Sequence, residues 1–119
     1  MARILYILPH STEAPERATA SLAAAVAGQR AGHDVNLWLS GEGVRLGVRG
    51  VAETLNEPGP ETAAAMVAAL QAGGAAFHVE RLAFEQREFS TEVMLSTATL
   101  ADAGSLADLV ADGWLTVTL

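Results

Sequence analysis

The side chains best suited to chemistry fall in three short stretches, each directly after an apolar run. The first is Pro9-His10-Ser11-Thr12, the second runs from Ser40 through Gly41, Glu42 and Gly43 to Val44, and the third is the pair Glu80-Arg81. A histidine working with a carboxylate can pass protons as general acid and base. A guanidinium working with a hydroxyl can hold a small carboxylate or oxyanion. The expected ligand pocket therefore gathers His10, Ser11, Thr12, Glu42, Gly43, Glu80 and Arg81, with Asp102 as the most that a fourth stretch adds.

Each of these residues also has a plainer reading. Ser11 or Thr12 can simply cap the helix that follows, with His10 in solvent. The free N–H groups at that helix start could receive an anion, but Glu13 and Glu16 already place negative charge there. No acidic partner for His10 is identifiable, so a Ser–His–acid arrangement has no support. The run Gly41-Glu42-Gly43-Val44-Arg45-Leu46-Gly47 follows a strand as a dinucleotide fingerprint does, yet it has three residues rather than two before its last glycine. Gly47 and Gly50 also break the helix such a site needs, and a tight turn with positive φ is the alternative. Arg45 and Arg49, one helical turn apart, either grip an anion or belong to a solvated face. Glu80 and Arg81 are either site residues or a strand-end salt bridge open to water. His10, His33 and His78 are dispersed and show no HxH or HExxH spacing, so no metal site is expected. His78 suits a hydrogen-bonded, half-buried place on a strand, and His33 a helix end.

The elements that must carry these residues alternate. Arg3 to Leu8 is an apolar run of strand formers stopped by Pro9, and its two-sided apolar character fits a parallel strand covered on both faces. Ala14, Ala18, Leu22, Ala25 and Val26 recur at helical spacing, with Pro15 in the first turn and Gly32 at the end. Asp34 to Leu39 repeats the strand pattern. After a glycine-punctuated stretch and the turn Asn56-Glu57-Pro58-Gly59-Pro60, a second helix is expected from about Pro60 to Gln71. Ala75 to Val79 is a third strand. Leu82 to Thr97 fits neither period, Thr99 to Ala101 is a short fourth strand, and Ser105 caps a last helix ending at Asp112-Gly113. Trp114 to Leu119 closes as a β-rich run. Strands alternating with helices predict βαβ units and a three-layer parallel architecture, and residues 1–119 form one domain. In such sheets ligands gather beyond the carboxyl ends of the strands, where all three stretches fall.

Bulk composition narrows the function classes. The chain has 119 residues, no cysteine, and 14 acidic against 7 basic side chains for a net charge of −7. Without a thiol there are no disulfides, thiolate metal sites, iron–sulfur clusters or cysteine nucleophiles. The acidic balance and the scattered arginines argue against nucleic acid or a membrane surface as partner. The first apolar run is too short for a signal peptide, no run reaches transmembrane length, and a cytoplasmic location is expected. Half the residues are hydrophobic, rich for a small chain, which points to subunit contacts in a homo-oligomer.

Taken in order, several loose motifs resemble the DsrE/DsrF-like family over nearly the whole chain. They are the first strand leading into Ala14-Pro15-Glu16-Arg17-Ala18, then Ala31-Gly32-His33-Asp34-Val35, Gly41-Glu42-Gly43-Val44, Gly73-Gly74, and Leu106-Ala107-Asp108-Leu109 with Ala111-Asp112-Gly113-Trp114. The resemblance implies a three-layer α/β/α sandwich around a five-stranded, mainly parallel sheet, assembled as trimers or hexamers. It also implies a persulfide-carrying cysteine just after the third strand in sulfur-relay members. Val79, Glu80 and Arg81 occupy that place here. The expected function is thus binding of a small anionic ligand or a protein partner at the strand-end pocket, without sulfurtransferase chemistry or cofactor. Two alternatives stand beside it: an enzyme using Glu80 and His10 as acid/base groups, and a scaffold subunit for a cysteine-bearing paralogue.

Overall fold

The computed structural model describes residues 1–119. Five strands, β1 (Arg3–Leu8), β2 (Asp34–Leu39), β3 (Phe77–Glu80), β4 (Ala98–Ala101) and β5 (Leu115–Thr118), form one sheet in the order β4-β3-β2-β1-β5. Every pairing is parallel. The helices are α1 (Pro15–Arg30), α2 (Ala63–Ala72), α3 (Arg81–Gln86) and α4 (Ala103–Ala111).

Side-chain alternation along the strands splits the interior into two unequal cores. Tyr6, Leu8, Leu37, Leu39, Phe77 and Val79 face the α1–α2 side and join a cluster of 23 buried residues. Leu5 and Trp38 face the other side, where with Ala101 they make a cluster of three, covered by Leu106, Leu109 and Trp114. Only α4 lies there, and none of its residues is buried. The sandwich has its three layers, but one outer layer is thin.

Several local expectations are corrected. Neither Ser11 nor Thr12 caps α1: the N-cap position is Ala14 and carries no side-chain cap, while the carboxylate of Glu13 accepts the Ser11 N–H instead. Helix α2 begins later than expected because Thr62, just beyond the Pro-Gly-Pro turn, is its cap and accepts from Ala65 N. Helix α4 starts at Ala103, so Ser105 lies inside its first turn and Asp102 takes the cap position. Strand β3 is shifted to include Glu80, and Arg81 at once opens α3, the short helix hidden in the unreadable stretch. The Gly41–Gly47 run is a 3-10 helix, which removes the dinucleotide reading, and Gly41 has φ +52° as a glycine turn requires.

Candidate functional site

The carboxyl edge of the sheet is built by chain segments that leave β1, β2, β3 and β4. Close backbone docking brings the first two together: Gly43 N donates to the carbonyls of Pro9 and Ser40, and Ser40 N donates to that of Leu8. A Cβ on Gly43 would overlap the Leu8 carbonyl, so this approach demands glycine. Gly43 is therefore a geometric requirement of this loop docking.

His10, the first residue of the set, does have an acidic partner. Its Nδ1 lies 2.9 Å from Glu13 Oε2, and its Nε2 lies 3.3 Å from Arg17 Nη1. Arginine only donates, so Nε2 accepts and the ring proton sits on Nδ1, pointing at Glu13. The same carboxylate accepts the Ser11 N–H through Oε1 at 2.5 Å. Partial burial opposes ionisation of Glu13, but the Ser11 N–H and His10 outweigh it and hold the carboxyl below its usual range. Ser11 itself is fully buried, and its hydroxyl has no partner within the protein. Thr12 is exposed beside it.

Glu42 anchors the second stretch. Its Oε2 accepts from Arg87 Nε at 2.8 Å and from Arg45 Nε at 2.9 Å. These two contacts hold the Glu42 carboxyl below its usual range, the Arg87 bond contributing most. A carboxylate so held is a clamp for guanidinium groups and a poor proton acceptor. Two cations on one anion leave a positive charge in excess. Arg87 also donates from Nη1 to the Ala83 carbonyl, and the Arg45 guanidinium lies 5.4 Å over the Phe89 ring, which fixes both groups.

Glu80 and Arg81 do not pair with each other. Arg81 Nε lies 3.0 Å from Asp102 Oδ1 and its Nη1 3.8 Å from Glu85, so it ties the end of β3 to the end of β4. Glu80 is half-buried and makes no side-chain hydrogen bond or ion pair. Arg49 is turned away to the Glu92 carbonyl. His78 is half-buried on the α4 side, stacked on Trp38 at 6.0 Å with Asn36 Nδ2 3.4 Å from its Nε2, and burial lowers its pKa. His33 Nδ1 accepts from Ala2 N behind α1. No group of three or more His, Asp or Glu is placed to hold a metal ion.

Sequence reasoning missed two contributors. Glu13 was visible three residues after His10, a spacing at which a turn brings side chains together. Arg87 carried no local signal, because its partner is reached only through the fold. A cleft of about 690 Å³ contains none of the expected residues: it lies between the outer face of α1 and residues 57–61. A smaller hollow of about 230 Å³ opens at the amino edge near His33, Asn36 and Trp114. No helix is long and apolar enough to cross a membrane.

Comparison with known proteins agrees with this architecture. The ychN protein from E. coli superimposes with a TM-score of 0.80 at 21% identity, covering 100% of both chains. The protein MTH1491 from Methanobacterium thermoautotrophicum, described as of unknown function, gives 0.74 at 11% identity with the same full coverage. At those identities the likeness establishes the fold alone. No match is found among curated proteins. The sequence pattern of the DsrE/DsrF-like family matches residues 2–119, and with a five-stranded parallel sheet carrying its polar loops at one edge, the chain belongs to that family.

Proposed function

We propose that this protein binds a small anion at the carboxyl edge of its sheet, as a cytoplasmic homo-oligomer of three or six subunits without sulfur-carrying chemistry of its own. The observation that carries the binding reading is the Glu42 clamp, where Arg45 and Arg87 share one carboxylate oxygen and keep N–H donors to spare. In a chain with a net charge of −7, two guanidinium groups converging on one carboxylate oxygen at a strand-end edge are a selective feature. Around it, the buried hydroxyl of Ser11, the docked Gly43 loop, His10, Thr12, Glu80 and Arg81 complete the proposed pocket. Arg81 contributes mainly by holding Asp102.

Titrating the labelled protein with acetate and with inorganic phosphate, followed by amide NMR, tests this. Saturable shifts confined to Ser11, Glu42, Gly43, Arg45, Glu80, Arg81 and Arg87 are expected. Saturable shifts centred elsewhere, or none up to tens of millimolar, would reject the site. The sulfur reading is separate: a persulfide donor should add no stable mass of one sulfur, since the chain has no thiol to hold it.

An acid/base enzyme remains a second reading because Glu80 is unpaired and His10 is oriented by Glu13. It requires Arg17 to leave His10 Nε2, the only lone pair available for proton transfer. Binding needs no such rearrangement and is preferred.

A further inference from the structure

The cleft between α1 and residues 57–61 belongs to none of the chemistry above. One wall is the outer face of α1, where Ala20, Ala23 and Ala27 are exposed and too short to fill the space beside them. The facing wall is the turn Pro58-Gly59-Pro60, whose two prolines fix the local backbone. Buried Val26 and Met66 close the bottom. At about 690 Å³ the cleft lies within the roughly 300–1,000 Å³ of small-molecule sites, and like them it joins an apolar lining to a few charged groups.

Those charged groups are Glu16, Glu57, Glu61 and Arg30. Arg30 gives one N–H to each carboxylate oxygen of Glu61, so the pair is neutral as a unit and closes the cleft at the last turn of α1. Glu16 and Glu57 are in no ion pair, which leaves the cleft with two negative charges in excess. The helix dipole favours Glu16, which lies in the first turn of α1. Glu57 has no such support: it is half-buried beside apolar neighbours and gives up part of its hydration without an ion-pair partner in return. The wall's one hydroxyl, Thr19 Oγ1, donates to the Pro15 carbonyl.

We propose that this cleft binds an amphiphilic organic cation. Its hydrocarbon body lies along the exposed alanines and over Val26 and Met66, and its ammonium group is held by Glu57 in the field of Glu16. The apolar surface supplies affinity without choosing a charge, and the two carboxylates make the choice, since an anion of the same shape meets repulsion at both. The net charge of −7 on the chain adds a long-range bias toward cations.

Octylammonium is the probe, with octanoate as an ion of the same chain length and opposite charge. Titrated into the labelled protein, octylammonium should give saturable amide shifts at Ala20, Ala23, Ala27, Glu57 and Gly59. Octanoate should bind there at least about fivefold more weakly, because both carboxylates change from attraction to repulsion. Glu57→Gln should weaken octylammonium by about two- to fivefold while leaving octanoate no weaker, a split that a general loss of structure does not produce. Ala23→Leu, a change at an exposed helical position that leucine suits, should fill the cleft and abolish binding with the rest of the amide spectrum unchanged. Acetate and phosphate should leave these amides unmoved, so the result is independent of the carboxyl-edge site. Equal affinity for the two ions would overturn the proposal, as would shifts centred on another surface or none up to several millimolar. So would binding indifferent to Glu57→Gln or to Ala23→Leu.

Discussion

The two faces of the sheet are made from the same strands yet differ in almost every respect. The α1–α2 face holds 23 buried residues, including Phe77, Leu22 and Leu70, and closes at its carboxyl edge with Val44 and Leu46. The α4 face holds three, and its one helix lies over them with Leu106 and Leu109 only partly buried. Strand β5 belongs to this weaker part, with Leu115 60% exposed and Val117 38% exposed. Stability in this fold is concentrated on one side, and polar or titratable groups such as His78 and Asn36 are tolerated on the other. The loops of the candidate site lean on the strong side through Val44 and Leu46, so the site is held by the part of the molecule least inclined to open.

The sharpest way to break this contrast is to truncate matching leucines. Leu22→Ala on the strong face should cost about 2–5 kcal/mol in urea denaturation, whereas Leu106→Ala should cost about 1 kcal/mol, since less of it is removed from water. Equal losses would mean that the thin face carries more than its buried residues suggest. Next in size, Gly43→Ala should cost about 1–3 kcal/mol because its Cβ has no place beside the Leu8 carbonyl. In that variant the Leu8–Ser40 docking should loosen, seen as faster amide exchange at Ser40 and Gly43 with β1 and β2 still protected. Unchanged exchange there would show that the loop is not pinned by this contact.

The smallest effect is a dependence on pH that separates the faces. His78 has its pKa lowered by burial, so the unfolded chain binds a proton more readily than the native one. Stability should therefore fall as pH drops below about 6.5, where the unfolded histidine begins to charge, and His78→Gln should remove that step. Glu42 and Glu13, both held below the ordinary 4.5, stabilise the fold above that value. Their contribution should be lost as pH falls through their lower native values. Thermal melts across pH 3–8 should show the upper step vanish in His78→Gln and the lower step shrink in Arg87→Ala. A single step common to all three proteins would refute the assignment.

Much of this arrangement was legible in the sequence, for physical reasons that differ by element. The apolar runs of β1 and β2 and the spacing of α1 are long enough for their period to show. Alternation predicts parallel pairing and one carboxyl edge, where His10, Glu42 and Glu80 were expected, but it does not predict the strand order β4-β3-β2-β1-β5. Helix α3 was not legible, since six residues starting directly from a strand leave no room for a period. The Ser11 expectation failed because a buried hydroxyl and an N-capping hydroxyl look identical in sequence. Only the Glu13 carboxylate, which takes the Ser11 N–H, distinguishes them. The clamp on Glu42 was half legible: Arg45 is three residues away, but Arg87 arrives from another element.

Strand β5, the last of the sheet's five strands in chain order, lies against β1, the first of them, with Ile4 beside Leu115 and Tyr6 beside Val117. A chain leaving the ribosome at roughly 5–20 residues per second will have β1 and β2 available for several seconds before β5 emerges. Throughout that interval the outer edge of Arg3–Leu8 has no strand to bind, although its side chains are among the most apolar in the protein. Nascent chains are therefore vulnerable at β1, where a neighbouring nascent chain or a chaperone can add to the open edge. Slowing translation between residues 39 and 115 should lengthen that exposure and lower the soluble yield without changing a single residue.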